Sequence, residues 1–198
     1  MNRREIVAGV GSVGVPAGAG GLFRYGPPSV GTDEPSPDDG TEDDESGPIT
    51  VETINARGSE AGSVTVPDGE TVTVATFFVT GCGNCQAQIP RLATAREQLR
   101  DECGDAVRFL AVTYQERHQL PESDLRDWWA THDGNGLVGY DSGLAGAYGV
   151  VGYPVTVALF PDGEKRWRDL GVLEAETIVD EVGAVLEADT DCNDDRRS

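Results

Sequence analysis

No stretch limits the folds open to this chain as much as residues Val72 to Pro90. Val72-Thr73-Val74-Ala75-Thr76-Phe77-Phe78-Val79 is an unbroken β-branched and aromatic run, which reads as a buried strand. Gly81 interrupts it. Helical spacing then takes over, with Ile89, Leu92, Ala95 and Leu99 along one stripe and Arg96 on its flank. Cys82 and Cys85 therefore sit where a strand hands over to a helix. The unpaired N–H groups and the positive dipole end of that helix favour a thiolate at this position. A two-residue spacer also brings the second sulfur within reach of the first, because residues three apart share a helical face. Cys82 lies nearest the helix start and is the candidate nucleophile. Cys85 is the candidate resolving thiol.

The rest of the folded part follows from pattern and turn chemistry. The segment from Ile49 to Ile54 reads as a first, edge-like strand. Ser63 to Val66, then Pro67-Asp68-Gly69-Glu70, then Thr71 to Val74 read as strand, turn, strand, the second running on into the buried strand. A helix is predicted from Asn84 to Cys103, bending at Pro90 because that ring removes a backbone donor. Val107 to Tyr114 is another buried strand. Pro121 opens a helix that runs through Trp128 and Trp129 to about His132, the two indoles reading as a core anchor and a half-exposed neighbour. Leu137 to Tyr140 is a short strand and Leu144 to Tyr148 a short helix. Val155 to Phe160 and Lys165 to Leu170 form a hairpin around Pro161-Asp162-Gly163. The segment from Glu174 to Glu187 closes the domain, with Ile178, Val182, Val185 and Leu186 as its buried stripe. Strands alternating with helices and ending in a hairpin indicate an α/β fold: a mixed central sheet with helices on both faces and an N-terminal β extension.

The flanks have a different composition. Residues 1–23 begin with Met1-Asn2-Arg3-Arg4-Glu5 and continue with the uncharged Ile6 to Phe23, weakly hydrophobic because of six glycines and Pro16. They resemble a twin-arginine export signal or, if uncleaved, a membrane anchor. Residues 24–47 carry Asp33, Glu34, Asp38, Asp39, Glu42, Asp43, Asp44 and Glu45 among Pro, Ser, Gly and Thr, the composition of a solvated, disordered linker. The folded domain is expected over 48–188 and a charged tail over 189–198. The whole chain has 35 acids against 15 bases, a formal charge of −20. That balance opposes nucleic acid as a partner. A single lysine, Lys165, stands beside fourteen arginines. This resembles salt-adapted proteins, since at 1 M salt the Debye length is about 3 Å and self-repulsion is screened.

Strand, Cys-x-x-Cys, helix and then Pro90, five residues after the second cysteine, resemble the active-site segment of the thioredoxin fold. Gly152-Tyr153-Pro154-Val155-Thr156-Val157-Ala158-Leu159-Phe160-Pro161-Asp162-Gly163-Glu164 resembles the cis-proline, strand, turn, strand segment of that fold. The long gap between Cys85 and Pro154 is similar to the TlpA/ResA-type extracytoplasmic thiol-disulfide oxidoreductases. The resemblance runs from about Val64 to Leu186. It implies a cis Tyr153–Pro154 peptide bounding a substrate groove, where the Tyr153 backbone pairs with an extended segment. It further implies exported, extracytoplasmic protein thiols and disulfides as partners, an unidentified redox donor, a monomer, and no cofactor. In this fold the first and last helices share a face, so Cys103 and Cys192 form a candidate structural disulfide.

Four positions depart from that pattern. Gly81 stands where a tryptophan is usual, and Asn84 replaces a frequent proline. Thr76 stands in place of the buried acid, and Gln88 in place of the glutamate three residues after the second cysteine. Both usual proton acceptors for Cys85 are thus missing, and water or another carboxylate is expected to serve. Rival readings use the same cysteines. A copper-handling protein would add a histidine such as His118, a redox-silent interaction domain would not need the sulfurs, and a buried structural disulfide would hide them. Zinc needs four good ligands, and no set supplies the remaining two, so no metal site is assigned.

Overall fold

In the computed structural model, which describes residues 47–189, seven strands form one mixed sheet. They are β1 (Ile49–Thr53), β2 (Gly62–Val66), β3 (Val72–Phe78), β4 (Val107–Thr113), β5 (Leu137–Tyr140), β6 (Val155–Leu159) and β7 (Lys165–Leu170). Their order across the sheet is β2-β1-β5-β4-β3-β6-β7. The helices are α1 (Gly83–Cys103), α2 (Glu122–Thr131), α3 (Leu144–Ala147) and α4 (Ala175–Asp189). The export segment, the acidic linker and Cys192 lie outside the described residues. No helix among the described residues is long and apolar enough to cross a membrane.

The unbroken apolar run places β3 inside the sheet. All seven of its residues are buried, and it pairs parallel with β4 and antiparallel with β6. Alternation then sorts its side chains between two cores. Val72, Val74 and Phe78 face α1, α2 and α4, packing with Ile89, Leu92, Ala95, Leu99, Trp129, Ile178 and Val182. Ala75 and Phe77 face the other way, onto Val112, Val155 and the Leu144–Ala145 turn of α3. Helix α1 continues through Pro90 over 21 residues, and its buried stripe is Cys85, Gln88, Ile89, Leu92, Ala95 and Leu99.

One expectation about the N-terminal strands is corrected. Strand β1 is not an edge. It lies between β2 and β5, and β2 takes the edge. Gly139 makes this possible, because a Cβ there would fall 2.2 Å from the Glu52 carbonyl oxygen where β1 crosses. The Pro67-Asp68-Gly69-Glu70 turn joins two strands as expected, but the two do not pair with each other: β2 pairs with β1, and β3 sits three strands beyond β1. Asp68 turns the chain by accepting the N–H groups of Glu70 (3.0 Å) and Thr71 (2.8 Å). Arg108 of β4 then spans the gap, pairing with Asp68 at 3.0 Å and donating to the Thr65 carbonyl and the Thr73 hydroxyl. Distance in the sheet is thus bridged by one long side chain rather than by a ladder.

Register brings five strand ends to one edge. Phe78 pairs with Thr113, Thr113 with Tyr140, Phe77 with Val155, and Val155 with Leu170. The loops after β3, β4, β5 and β7 and the loop before β6 therefore share that edge with the start of α1.

Gly139→Ala should lower stability by about 1–3 kcal/mol, because backbone atoms cannot yield to the new methyl. Gly183→Ala, with open space around it inside α4, should instead raise stability by up to about 1 kcal/mol. Urea unfolding midpoints of the two variants check both signs.

Candidate active site

Cys82 is the N-cap of α1. Its backbone is extended (φ −95°, ψ 116°), and its sulfur accepts the Cys85 backbone N–H at 3.2 Å. Its carbonyl accepts the Gln86 N–H at 3.0 Å, and its own N–H donates to Val79. One N–H that the helix cannot satisfy internally is therefore met by sulfur, in the role usually taken by a serine or aspartate oxygen. No acidic side chain occupies the first turn, so the positive helix end faces this sulfur undiluted. Cys82 is half-buried. Cys85, one turn on, is fully buried. Burial pushes the Cys85 thiol up to about 12, and its hydrogen bond to Cys82 and the Cys82 charge act in the same direction. The site pairs one reachable sulfur with one hidden, protonated sulfur.

The turn ahead of Cys82 is held by polar side chains from three elements. Gln115, just past β4, accepts the Thr80 N–H at 2.7 Å and the Thr80 hydroxyl at 2.9 Å. The Thr80 carbonyl accepts from Gln86 of α1 and from the Trp128 indole of α2, each at 3.1 Å. Gln86 and Gln115 had no signal in the sequence. Sequence pattern marked Trp128 and Trp129 as a core anchor and a half-exposed neighbour without assigning the two roles; Trp129 is the buried one.

The Tyr153–Pro154 peptide is cis, and the β3–β6 register sets it beside the end of β3. Pro154 is buried, and its carbonyl accepts the Gly171 N–H at 2.8 Å. Tyr153 is 50% exposed, leans on Tyr114, and is accompanied by Val151, Leu170 and Val172. These four are the exposed large hydrophobic residues of the described chain, and all lie around the cis-proline. Sequence pattern missed Val151, Leu170 and Val172, because an exposed apolar residue looks like any strand residue until the sheet order is known.

The two positions expected to lack an acid do lack one. Thr76 shares a 3.1 Å hydroxyl–hydroxyl contact with Thr156 on β6. Gln88 is fully buried; its Oε1 accepts the Leu173 N–H at 2.7 Å while its Nε2 has no partner. Cys103 is half-buried at the end of α1 and packs on the core between sheet and helices. His118 is exposed and sits 3.0 Å from Glu116. Among the described residues, no three side chains of His, Cys, Asp or Glu converge on one point.

No protein-family model matches the chain, and no curated protein sequence matches it. Solved structures do. StoA of Bacillus subtilis is 17% identical with a TM-score of 0.57, the match covering 69% of this chain and 96% of that one. A secreted disulfide oxidoreductase of Mycobacterium tuberculosis, homologous to DsbE of E. coli, is 17% identical with a TM-score of 0.53, covering 69% and 95%. The exposed lipoprotein thioredoxin of Streptococcus pneumoniae is 20% identical with a TM-score of 0.55, covering 70% and 99%. The fold is thioredoxin-like.

At pH 8 and at pH 10, iodoacetamide should modify Cys82 in the reduced protein and leave Cys85 untouched, although an ordinary thiol with a pKa of about 8.5 is largely ionised by pH 10. Peptide mass mapping reads this. The fold favours protonated Cys85, and the unfolded chain releases that proton at lower pH. The reduced protein should therefore lose stability relative to Cys85→Ser as pH rises from about 9.0 towards about 12.

Proposed function

We propose that this protein is a thiol-disulfide oxidoreductase acting on protein disulfides outside the cytoplasm. The observation that carries the reading is the capping sulfur of Cys82, with the buried Cys85 thiol hydrogen-bonded behind it. The Cys82 thiolate attacks a substrate disulfide. One substrate sulfur leaves as a thiolate, and the other becomes linked to Cys82. The Cys85 thiol then attacks the Cys82 sulfur, the Cys82–Cys85 disulfide forms, and the second substrate thiol departs while the Cys85 proton passes to it or to solvent. The substrate gains two electrons and the pair loses them. The same steps in reverse oxidise a dithiol.

The Tyr153–Pro154 loop serves as the docking edge. An extended substrate segment would pair with the Tyr153 backbone, and Val151, Leu170 and Val172 would receive its apolar side chains. The placement of the chain outside the cytoplasm is supported by its first 23 residues and by the secreted and exposed proteins that share its fold. In the same reading, residues 24–47 tether the domain, Cys103 and Cys192 pair as a structural disulfide, and the acidic surface suits a salt-rich medium.

Cys85→Ser, expressed with the full N-terminus, should accumulate mixed disulfides with partner proteins through Cys82. A ladder of bands on non-reducing gels that collapses with dithiothreitol supports the reading. Its absence, together with no exchange of the wild-type pair against glutathione, removes it.

A further inference from the structure

Gly81, the residue before the nucleophile, has no side chain, and a Cβ there would meet nothing within 4 Å. The turn must therefore be fixed from elsewhere. Thr80 is where that happens, since its N–H, hydroxyl and carbonyl are all engaged. Gln86 belongs to α1 and moves with it. Among the described residues, the hydrogen bonds of Gln115 and Trp128 tie Thr80 to the end of β4 and to α2.

Trp128 is itself rigidly held. Its ring stacks on Phe78, the last residue of β3, with centroids 4.9 Å apart and planes 10° from parallel. His132 packs against it at 4.5 Å, with Nδ1 2.8 Å from the Trp128 carbonyl. Helix α2 is anchored by buried Leu125 and Trp129, and Trp129 donates to the Arg57 carbonyl at 3.0 Å. Gly134 fits against the Trp129 ring so closely that a Cβ would lie 2.2 Å from it.

We propose that Trp128 is a positioning residue for the redox pair, which fixes from helix α2 the turn that presents Cys82. Its indole N–H sets the plane of the Thr80 peptide carbonyl, and two residues later that plane decides whether the Cys82 sulfur meets the Cys85 N–H. This rests on the reading that Cys82 is the attacking sulfur.

Trp128→Phe keeps a ring for Phe78 to stack on and removes only the donor to Thr80. It should slow alkylation of Cys82 at pH 7 by about three- to tenfold, the factor carried by one net hydrogen bond. It should also shift the equilibrium of the Cys82–Cys85 pair against a glutathione buffer. Trp129→Phe, which loses a comparable bond to Arg57, should lower the unfolding midpoint and change neither quantity. In the wild-type protein, the Trp128 indole N–H resonance should move when Cys82 is alkylated, and the Trp129 resonance should not. Equal alkylation rates for the two variants, or a Trp128 resonance that ignores Cys82, would overturn the proposal. If wild type fails to exchange with glutathione, the oxidoreductase reading falls, while the alkylation rates still decide the role of Trp128.

Discussion

A helix begins with N–H groups it cannot satisfy, and here one of them is satisfied by sulfur. The bond from the Cys85 N–H to the Cys82 sulfur fixes much else. For Cys82 to cap α1, the preceding strand must end within a few residues of the helix. Strand β3, wholly buried between β4 and β6, ends at Phe78, four residues before the cap. For Cys85 to lie behind the cap, the first turn of α1 must press against Phe78 and its neighbours. The Thr80 clamp then restrains the remaining freedom of the connecting turn.

The chemistry of the pair depends on what the interior withholds. Fully buried Cys85 has a hydroxyl pair, Thr76–Thr156, on the adjoining strands and an amide, Gln88, one turn along its helix. Neither takes up a proton at ordinary pH. Burial and Cys82 hold the thiol protonated. Gln88 has a mechanical role instead. Its Oε1 ties α1 to Leu173, two residues past Gly171, which holds the Pro154 carbonyl. The helix that carries the sulfurs and the loop that carries the cis-proline are thereby joined through a single buried side chain.

Charge and apolar surface are divided in a way that fits this chemistry. The sequence is strongly acidic, and most described arginines are spent on carboxylate partners such as Asp68, Glu174 and Glu122. Exposed large hydrophobic side chains gather at the sheet edge where the cysteines lie. That apolar patch is bordered by charge, since Arg168 donates to the Val151 carbonyl.

Local pattern was sufficient for β3, for the handover at Cys82, for the buried stripe of α1 and for the β6–β7 hairpin. In each, composition, period and turn residues act over a few positions, and covalent spacing alone places Cys85 one turn from Cys82. Even the missing acids at Thr76 and Gln88 were visible, because they are a matter of residue identity. Only the assembled sheet decided that β1 lies inside and β2 at the edge, since Gly139 reveals its purpose when Glu52 crosses it. Only assembly showed that Gln115 and Trp128 grip Thr80 from 35 and 48 residues away, and that Val151, Leu170 and Val172 share one patch. Contacts of that kind depend on strand order and helix placement, which come from packing of the whole domain and leave no period in the chain.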